Sequence, residues 1–292
     1  MKVGILTRNQ DAWCSSRLLK AFRKKKVRAL AISFSDLVGR IGFAPEVSIE
    51  KLDLIKDLSA LLVRPIGRGS LDEIIFQMDV LHKLSRSGLP VINNPLAIEK
   101  AVDKYYTLSL LSESGIPVPR TVVTENVSEA LEAFKTLGSE VVVKPVFGSR
   151  GIGVARLSDF DIAERTLRTL RFNRHVLYVQ EFIQHPGRDI RAFIVGGRVI
   201  ATMRRVSHSW KTNVSLGAKP VRTVPAEETQ KIALTAAQAI GCDIAGVDVI
   251  EGPTGPLVNE VNSQPGWRGL QSTTRLNIAD EIVDFVVLKA RK

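Results

Sequence analysis

The chain has 292 residues, of which 45% are hydrophobic, and its lysines and arginines outnumber its acids to give a formal charge of +11. That length and apolar content can bury a substantial core divided among two or three structural units. Two cysteines, Cys14 and Cys242, exclude a disulfide scaffold and a cysteine metal site, and four scattered histidines form no zinc pattern.

Residues 1–6 read as a strand, 15–25 as a helix, 29–32 and 58–63 as further strands, and 90–92 as a strand reached after another helix. This predicts an open α/β amino-terminal domain over 1–94, lacking a nucleotide fingerprint of its own and closing at Asn93–Asn94–Pro95. A central unit over 95–184 starts with a helical region at 96–114, turns at 115–119, and continues into a helix at 128–137. The remainder, 185–292, mixes strands with a helical pattern at 226–240. No hydrophobic run is long enough to cross a membrane, and the opening reads as a strand rather than a leader, so a cytoplasmic protein is expected.

Chemistry concentrates in the middle and the end of the chain. After the β-rich run 140–145, the segment Gly148–Ser149–Arg150–Gly151–Ile152–Gly153 is too glycine-dense for a helix. Such a loop can turn its N–H groups toward phosphate while Lys144 adds a point charge. It is neither GxGxxG nor GxxxxGK[ST], and a glycine hairpin with no ligand is the competing reading. Residues 179–183 form a strand ending before His185–Pro186–Gly187, whose backbone can meet an adenine edge with Phe182 or Ile183 over the ring. Asp189 and Arg191 then share a face of a strand at 189–195, suiting a ribose hydroxyl and a phosphate oxygen respectively, unless they form only a surface ion pair. Arg204 and Asn213 are placed near a transferred phosphoryl group and Lys211 nearer a second substrate, with a solvated basic loop as the alternative.

A hairpin is predicted from strands 244–250 and 256–262 around the turn 251–255. Alternation puts Glu260 and Asn262 on one face, where Asp248 meets them from the neighbouring strand. Clustered oxygen donors suit Mg²⁺, and a shared cation would relieve the repulsion of two unpaired carboxylates. An ordinary hairpin with solvated acids is the alternative.

In this order and spacing, the motifs from Asp103–Lys104 through Lys144, the 148–153 loop, Gln180–Glu181–Phe182–Ile183, Asp189–Ile190–Arg191 and Lys211–Thr212–Asn213 to Asp248 and Asn259–Glu260–Val261–Asn262 resemble the ATP-grasp superfamily. More narrowly, the chain is similar to the ribosomal-protein glutamate ligases and related coenzyme glutamate ligases. The resemblance implies mixed α/β and α+β architecture with the ATP-grasp fold and an ATP-dependent carboxylate–amine ligase. Lys104 and Lys144 would hold phosphate, Glu181 and Ile183 the adenine hinge, Asp248, Glu260 and Asn262 the metal, and Arg191, Arg204 and Asn213 the phosphate-facing wall. Its cofactors would be ATP and Mg²⁺, with Mn²⁺ as a substitute. A substrate carboxylate would attack the γ-phosphorus to give an acyl phosphate, which an amine then opens.

Two departures bear on the acceptor. Arg150 replaces the tryptophan of the Gly–Ser–Trp–Gly loop that carrier-protein ligases resembling this chain favour, and Leu216 stands where ribosomal-tail enzymes have an arginine. Glutamate addition to a small anionic coenzyme is therefore the leading expectation, with an acidic protein tail second and other amide-bond formation behind it. Trp210 and Trp267–Arg268 are expected as an apolar and cationic lip for that substrate. A homo-oligomer is compatible with this reading. Nucleic-acid binding by Arg23–Lys24–Lys25–Lys26 and the basic run 165–174 is the different-class alternative, weakened by the lack of interleaved aromatics.

Overall fold

The computed structural model describes residues 1–148 and 151–291. Ser149 and Arg150, both expected at the phosphate loop, lie outside the described residues.

Three larger sheets carry the chain. The first is four-stranded and parallel, with Arg28–Ile32, Lys2–Leu6, Ala60–Val63 and Val91–Ile92 side by side. Ala60–Val63 is buried at every position, as an interior parallel strand covered on both faces requires. Helix Leu71–Arg86 starts on a complete capping box, Ser70 bonding the Glu73 N–H while the Glu73 carboxylate takes the Ser70 N–H. A small antiparallel sheet of Val38–Gly39, Val47–Ile49 and Leu52–Asp53 sits in the long connection after the second strand and was not expected from sequence.

The expected helical region 96–114 is two helices, Pro95–Val102 and Lys104–Glu113. Asn94 caps the first, which has Pro95 in its first turn, and Asp103 stays extended to cap the second through the Tyr106 N–H. That break places Lys104 at the head of a helix pointing at the next sheet. The second sheet is antiparallel, ordered Ala155–Leu157, Val141–Val143, Leu177–Glu181, Thr121–Thr124.

The third sheet has five antiparallel strands: Lys219–Arg222, Arg198–Val206, Arg188–Val195, Ile244–Gly252 and Gly255–Asn262. One face packs Ile190, Ala192, Ile194, Ala245, Val247 and Val249 against helix Glu227–Ile240. The other face turns Phe193, Val195 and Ile244 into a core shared with the first sheet and with the last helix, Ile278–Lys289, which lies on helix Trp13–Lys24. Asn93 stitches the two regions: its amide donates to the carbonyls of Ile244 and Ser263 and accepts from the Ile244 N–H. Among the described residues, no helix is long and apolar enough to cross a membrane.

Candidate functional site

The predicted hairpin forms, with Asp248 directly opposite Glu260 and Gly246 opposite Asn262. Its ladder slips between Asp248 and Val249, so that Val249 pairs with Val258 and Asn259 becomes the extra residue of a bulge. Strict alternation would send Val258 and Val261 to opposite faces. The bulge lets both enter one core while Asn259 and Glu260 both face the cleft. Asn259 is thus a site residue that the sequence pattern hides, and only a bulge signal would have exposed it.

The cleft is lined from three directions. Lys104 donates to the carbonyls of Val146 and Gly148, at 3.2 and 2.8 Å, and so reaches the glycine loop. Lys144 donates to Asn259 Oδ1 at 3.3 Å, with its ammonium 5.3 Å from the centre of the Tyr178 ring. Burial pushes the Lys144 pKa down to about 8; Glu260 works against that shift and Lys104 adds to it. Burial also lowers Lys104, opposed by Glu260 and Asp103. Two lysines and Glu260 therefore feel one another across the same space. Such crowding of like charge leaves room for an anion between them.

Gly148, Gly151 and Ile152 line the cleft. Gly151 has φ +72°, and a Cβ there would stand 2.7 Å from Asn213 Oδ1, so glycine is required both for the turn and for the approach of Asn213. Gly153 follows with φ +76° at the loop's exit. Lys211 lies over the loop's far end, donating to the Val154 carbonyl at 2.6 Å. It lines the same cleft as Asn213.

Opposite the lysines, the strand Leu177–Glu181 runs out into a hinge. Both oxygens of Glu181 are taken by Arg120, and the Gln180 amide donates to Thr121 and Tyr178, so these two side chains hold the hinge in shape. Among the described residues the Ile183 N–H has no acceptor, leaving a donor directed from the backbone. Phe182 is sandwiched, with the Arg156 guanidinium 3.8 Å from its ring centre and Trp210 meeting it edge-on at 5.9 Å.

The floor is an ionic network whose pairing is non-local. Asp248 is 2% exposed, and both its oxygens are held by Arg191, with Arg205 Nη2 adding a contact at 3.0 Å. Arg205 also grips Asp189, whose Oδ2 accepts from Thr212 at 2.7 Å. Burial opposes the Asp248 charge, but Arg191 and then Arg205 outweigh it and hold the carboxyl below its ordinary range. Arg205 is likewise held above its usual value, because Asp248 and Asp189 outweigh its desolvation.

Four expectations change here. Asp189 is 3% exposed and committed to Arg205 and Thr212, so its carboxylate is not presented as an open ribose acceptor. Arg204 pairs in register with Ile190, whose side chain enters the helix-covered core, so Arg204 lies on the sheet face away from the cleft, with Glu251 at 3.7 Å. Its neighbour Arg205, one step along the alternation, is the arginine that faces the site. The repulsion argument for a shared cation also falls, since Arg191 and Arg205 already neutralise Asp248. Finally, Trp267 is 0% exposed and packs on Phe193 and Trp13, so it is core rather than a lip, while Arg268 is exposed and Trp210 lines the cleft.

The donor set still fits magnesium. Among the described residues there is no cluster of three or more His, Cys, Asp or Glu side chains able to hold a metal alone. Glu260 and the amide oxygen of Asn262 are hard oxygen donors, flanked by Asp248, whose oxygens Arg191 and Arg205 also hold, and by Asn259, whose Oδ1 also accepts from Lys144; Mg²⁺ takes few carboxylates, completing its shell with water and substrate phosphate. Asn262 lies beside them, its amide donating to the Gly246 carbonyl at 3.3 Å and leaving Oδ1 as the side chain's acceptor.

Comparisons with known proteins identify the family and the fold. Residues 101–286 match the family model described as the RimK-like ATP-grasp domain. The chain is 36% identical to the tetrahydromethanopterin:alpha-L-glutamate ligase of Methanococcus maripaludis over 100% of both chains. It is 34% identical to the protein of the same name in Methanosarcina acetivorans, over 98% of both. A probable alpha-L-glutamate ligase of Rhodopirellula baltica is 31% identical over 98% of this chain and 71% of that one. Among solved structures, the RimK domain ATP-grasp protein of Sphaerobacter thermophilus superposes with a TM-score of 0.78 at 22% identity, over 98% of this chain and 100% of that one. The ATP-grasp ligase PsnB, solved with a minimal precursor, Mg and ADP, gives 0.78 at 17% identity over 99% and 98% of the two chains. These confirm the ATP-grasp fold expected from the motifs.

Proposed function

This chain belongs to the RimK-like ATP-grasp family, and we propose that it is an ATP-dependent ligase that adds L-glutamate to a small anionic coenzyme of the tetrahydromethanopterin type. The observation that carries the reading is the convergence of Lys104, Lys144, Asp248, Asn259 and Glu260 on one cleft, together with full-length similarity to ligases named for that coenzyme.

ATP is the energy-supplying substrate. The Ile183 N–H, beside the Arg156–Phe182 stack, would receive its adenine, and Lys144 and Lys104, with Gly148, Gly151 and Ile152 nearby, would receive its phosphates. Mg²⁺, with Mn²⁺ as a second ion to test, would be held by Glu260, Asp248 and Asn262, with Asn259 adjoining; when bound it neutralises phosphate charge. The acceptor's carboxylate oxygen attacks the γ-phosphorus, the bond to the bridging oxygen breaks, and ADP leaves. Lys144 and Lys104, which line the cleft, would face the charge spreading over the transferred oxygens, with Arg191 acting from behind Asp248. The amine of glutamate then attacks the acyl carbon, phosphate departs, and the amine's proton is lost as the amide forms. No side-chain nucleophile is required, and the chain's work is positioning and exclusion of water. The reading carries with it a cytoplasmic location, where ATP and glutamate are made.

The test is a panel assay with ATP, Mg²⁺ and L-glutamate against three acceptor classes: a reduced methanopterin, a deazaflavin coenzyme and a glutamate-ended peptide. ADP formation coupled to a glutamyl-extended pterin is expected. Extension of the peptide alone would transfer the function to protein tails, and ADP release with no acceptor would overturn both.

A further inference from the structure

Arg64 is a buried cation without a carboxylate. It directly follows the Ala60–Val63 strand, at the carboxyl end of the parallel sheet, where open α/β sheets gather ligands. The residue is 5% exposed. Its Nη2 donates to the Pro265 carbonyl at 2.9 Å, and its guanidinium lies 4.9 Å from the centre of the Trp267 ring. Among the described residues no acid pairs with it, whereas Arg205 holds Asp189 and Asp248, and Arg191 holds Asp248. Burial pushes its pKa down, and only the neighbouring Cys14 sulfur works the other way. An unpaired buried charge is among the costlier features a fold can keep, and it is tolerated where a ligand completes it.

Among the described residues, Trp267 Nε1 and Gln264 Nε2 are also buried without acceptors, and both belong to the segment that leaves the metal-site strand. Pro265 ties this group to the reaction. A Cβ built on Gly246 would touch both Pro265 and Arg191, so Pro265 stands between Arg64 on one side and the Arg191–Asp248 pair on the other.

We propose that Arg64 receives a substrate carboxylate that does not react, and so orients that substrate toward the phosphoryl group. The assignment rests on the ligase reading above. A guanidinium fork matches a carboxylate bidentately, which an ammonium does not. Both carboxylates of glutamate survive when its amine attacks, and an anionic acceptor can carry acids beyond the one activated. Either source supplies the same chemistry.

Initial rates of Arg64→Met and Arg64→Lys, with Mg-ATP, L-glutamate and a reduced methanopterin varied in turn, separate the sources. The KM for one of the two acids should rise roughly 10- to 100-fold in both variants, with the KM for ATP unchanged. The acid whose KM moves is the one bound. Ligand-free Arg64→Met should melt no lower than the parent, because it loses an unpaired charge. Unchanged KM values for both acids would overturn the proposal, as would an Arg64→Met that melts well below the parent while Arg64→Lys restores both melting and KM. If the parent protein uses no ATP with these acids, the ligase reading fails separately. Calorimetric titration of parent and Arg64→Met with each acid then decides the site: saturable binding lost in the variant supports it, and identical or absent heats overturn it.

Discussion

Replacing Lys144 by arginine isolates the electrostatics of the phosphate site. Burial holds the lysine near a pKa of about 8, against an ordinary 10.5, with Glu260 opposing and Lys104 reinforcing that shift. A bound polyphosphate favours the charged form, so nucleotide binding takes up a proton where free Lys144 has lost one. The sign follows: affinity is full below the free enzyme's pKa and falls as pH rises through it. At pH 9 roughly one site in ten keeps the charge, so Kd for a non-hydrolysable ATP analogue should rise about tenfold from its value at pH 7.5, with a limiting slope of about one decade per pH unit. Calorimetry in buffers of differing ionisation heat at pH 8 should show uptake of about half a proton. In Lys144→Arg, whose guanidinium stays charged, the slope and the uptake should vanish between pH 7.5 and 9.5. A parent enzyme flat over that range, or a variant with the same slope, would refute the reasoning.

Other consequences follow from the same cleft. Asp248→Asn strips the carboxylate from Arg191 and Arg205, and should cost about 3–5 kcal/mol by chemical denaturation besides abolishing turnover. Glu260→Gln, at a half-buried position with no ion pair among the described residues, should change the melting temperature little while sharply raising the Mg²⁺ concentration needed for half-maximal rate. Arg204→Met should leave kcat/KM near the parent value, whereas Arg205→Met should lower both stability and rate; equal effects of the two would contradict the sheet-face assignment. Asn93→Ala leaves the Ile244 N–H and two carbonyls unpaired in the core, and a loss of about 2–4 kcal/mol in urea unfolding is expected.

Much of this was legible in the amino-acid order. Period-two alternation on both sides of Glu251–Gly255 gave the hairpin, and glycine density gave the loop whose Gly151 does need a positive φ. What escaped the reading was non-local or irregular. Arg205 and Arg204 are equivalent by composition, and only pairing with Asp189 and Ile190 tells which one faces the cleft. The bulge that brings Asn259 into the site breaks the very alternation used to find Glu260. Trp267 looked like an exposed aromatic because its covering partners, Trp13 and Phe193, come from distant parts of the chain. The break at Asp103 was hidden by helix-compatible residues on either side, although its role as a cap is local.

The central claim is that this cleft activates an acceptor carboxylate as an acyl phosphate. Turnover of an acceptor labelled with oxygen-18 in that carboxylate, followed by mass analysis of the inorganic phosphate, tests it directly. The account predicts one labelled oxygen in each phosphate released; phosphate free of label, formed together with the glutamyl product, would contradict it.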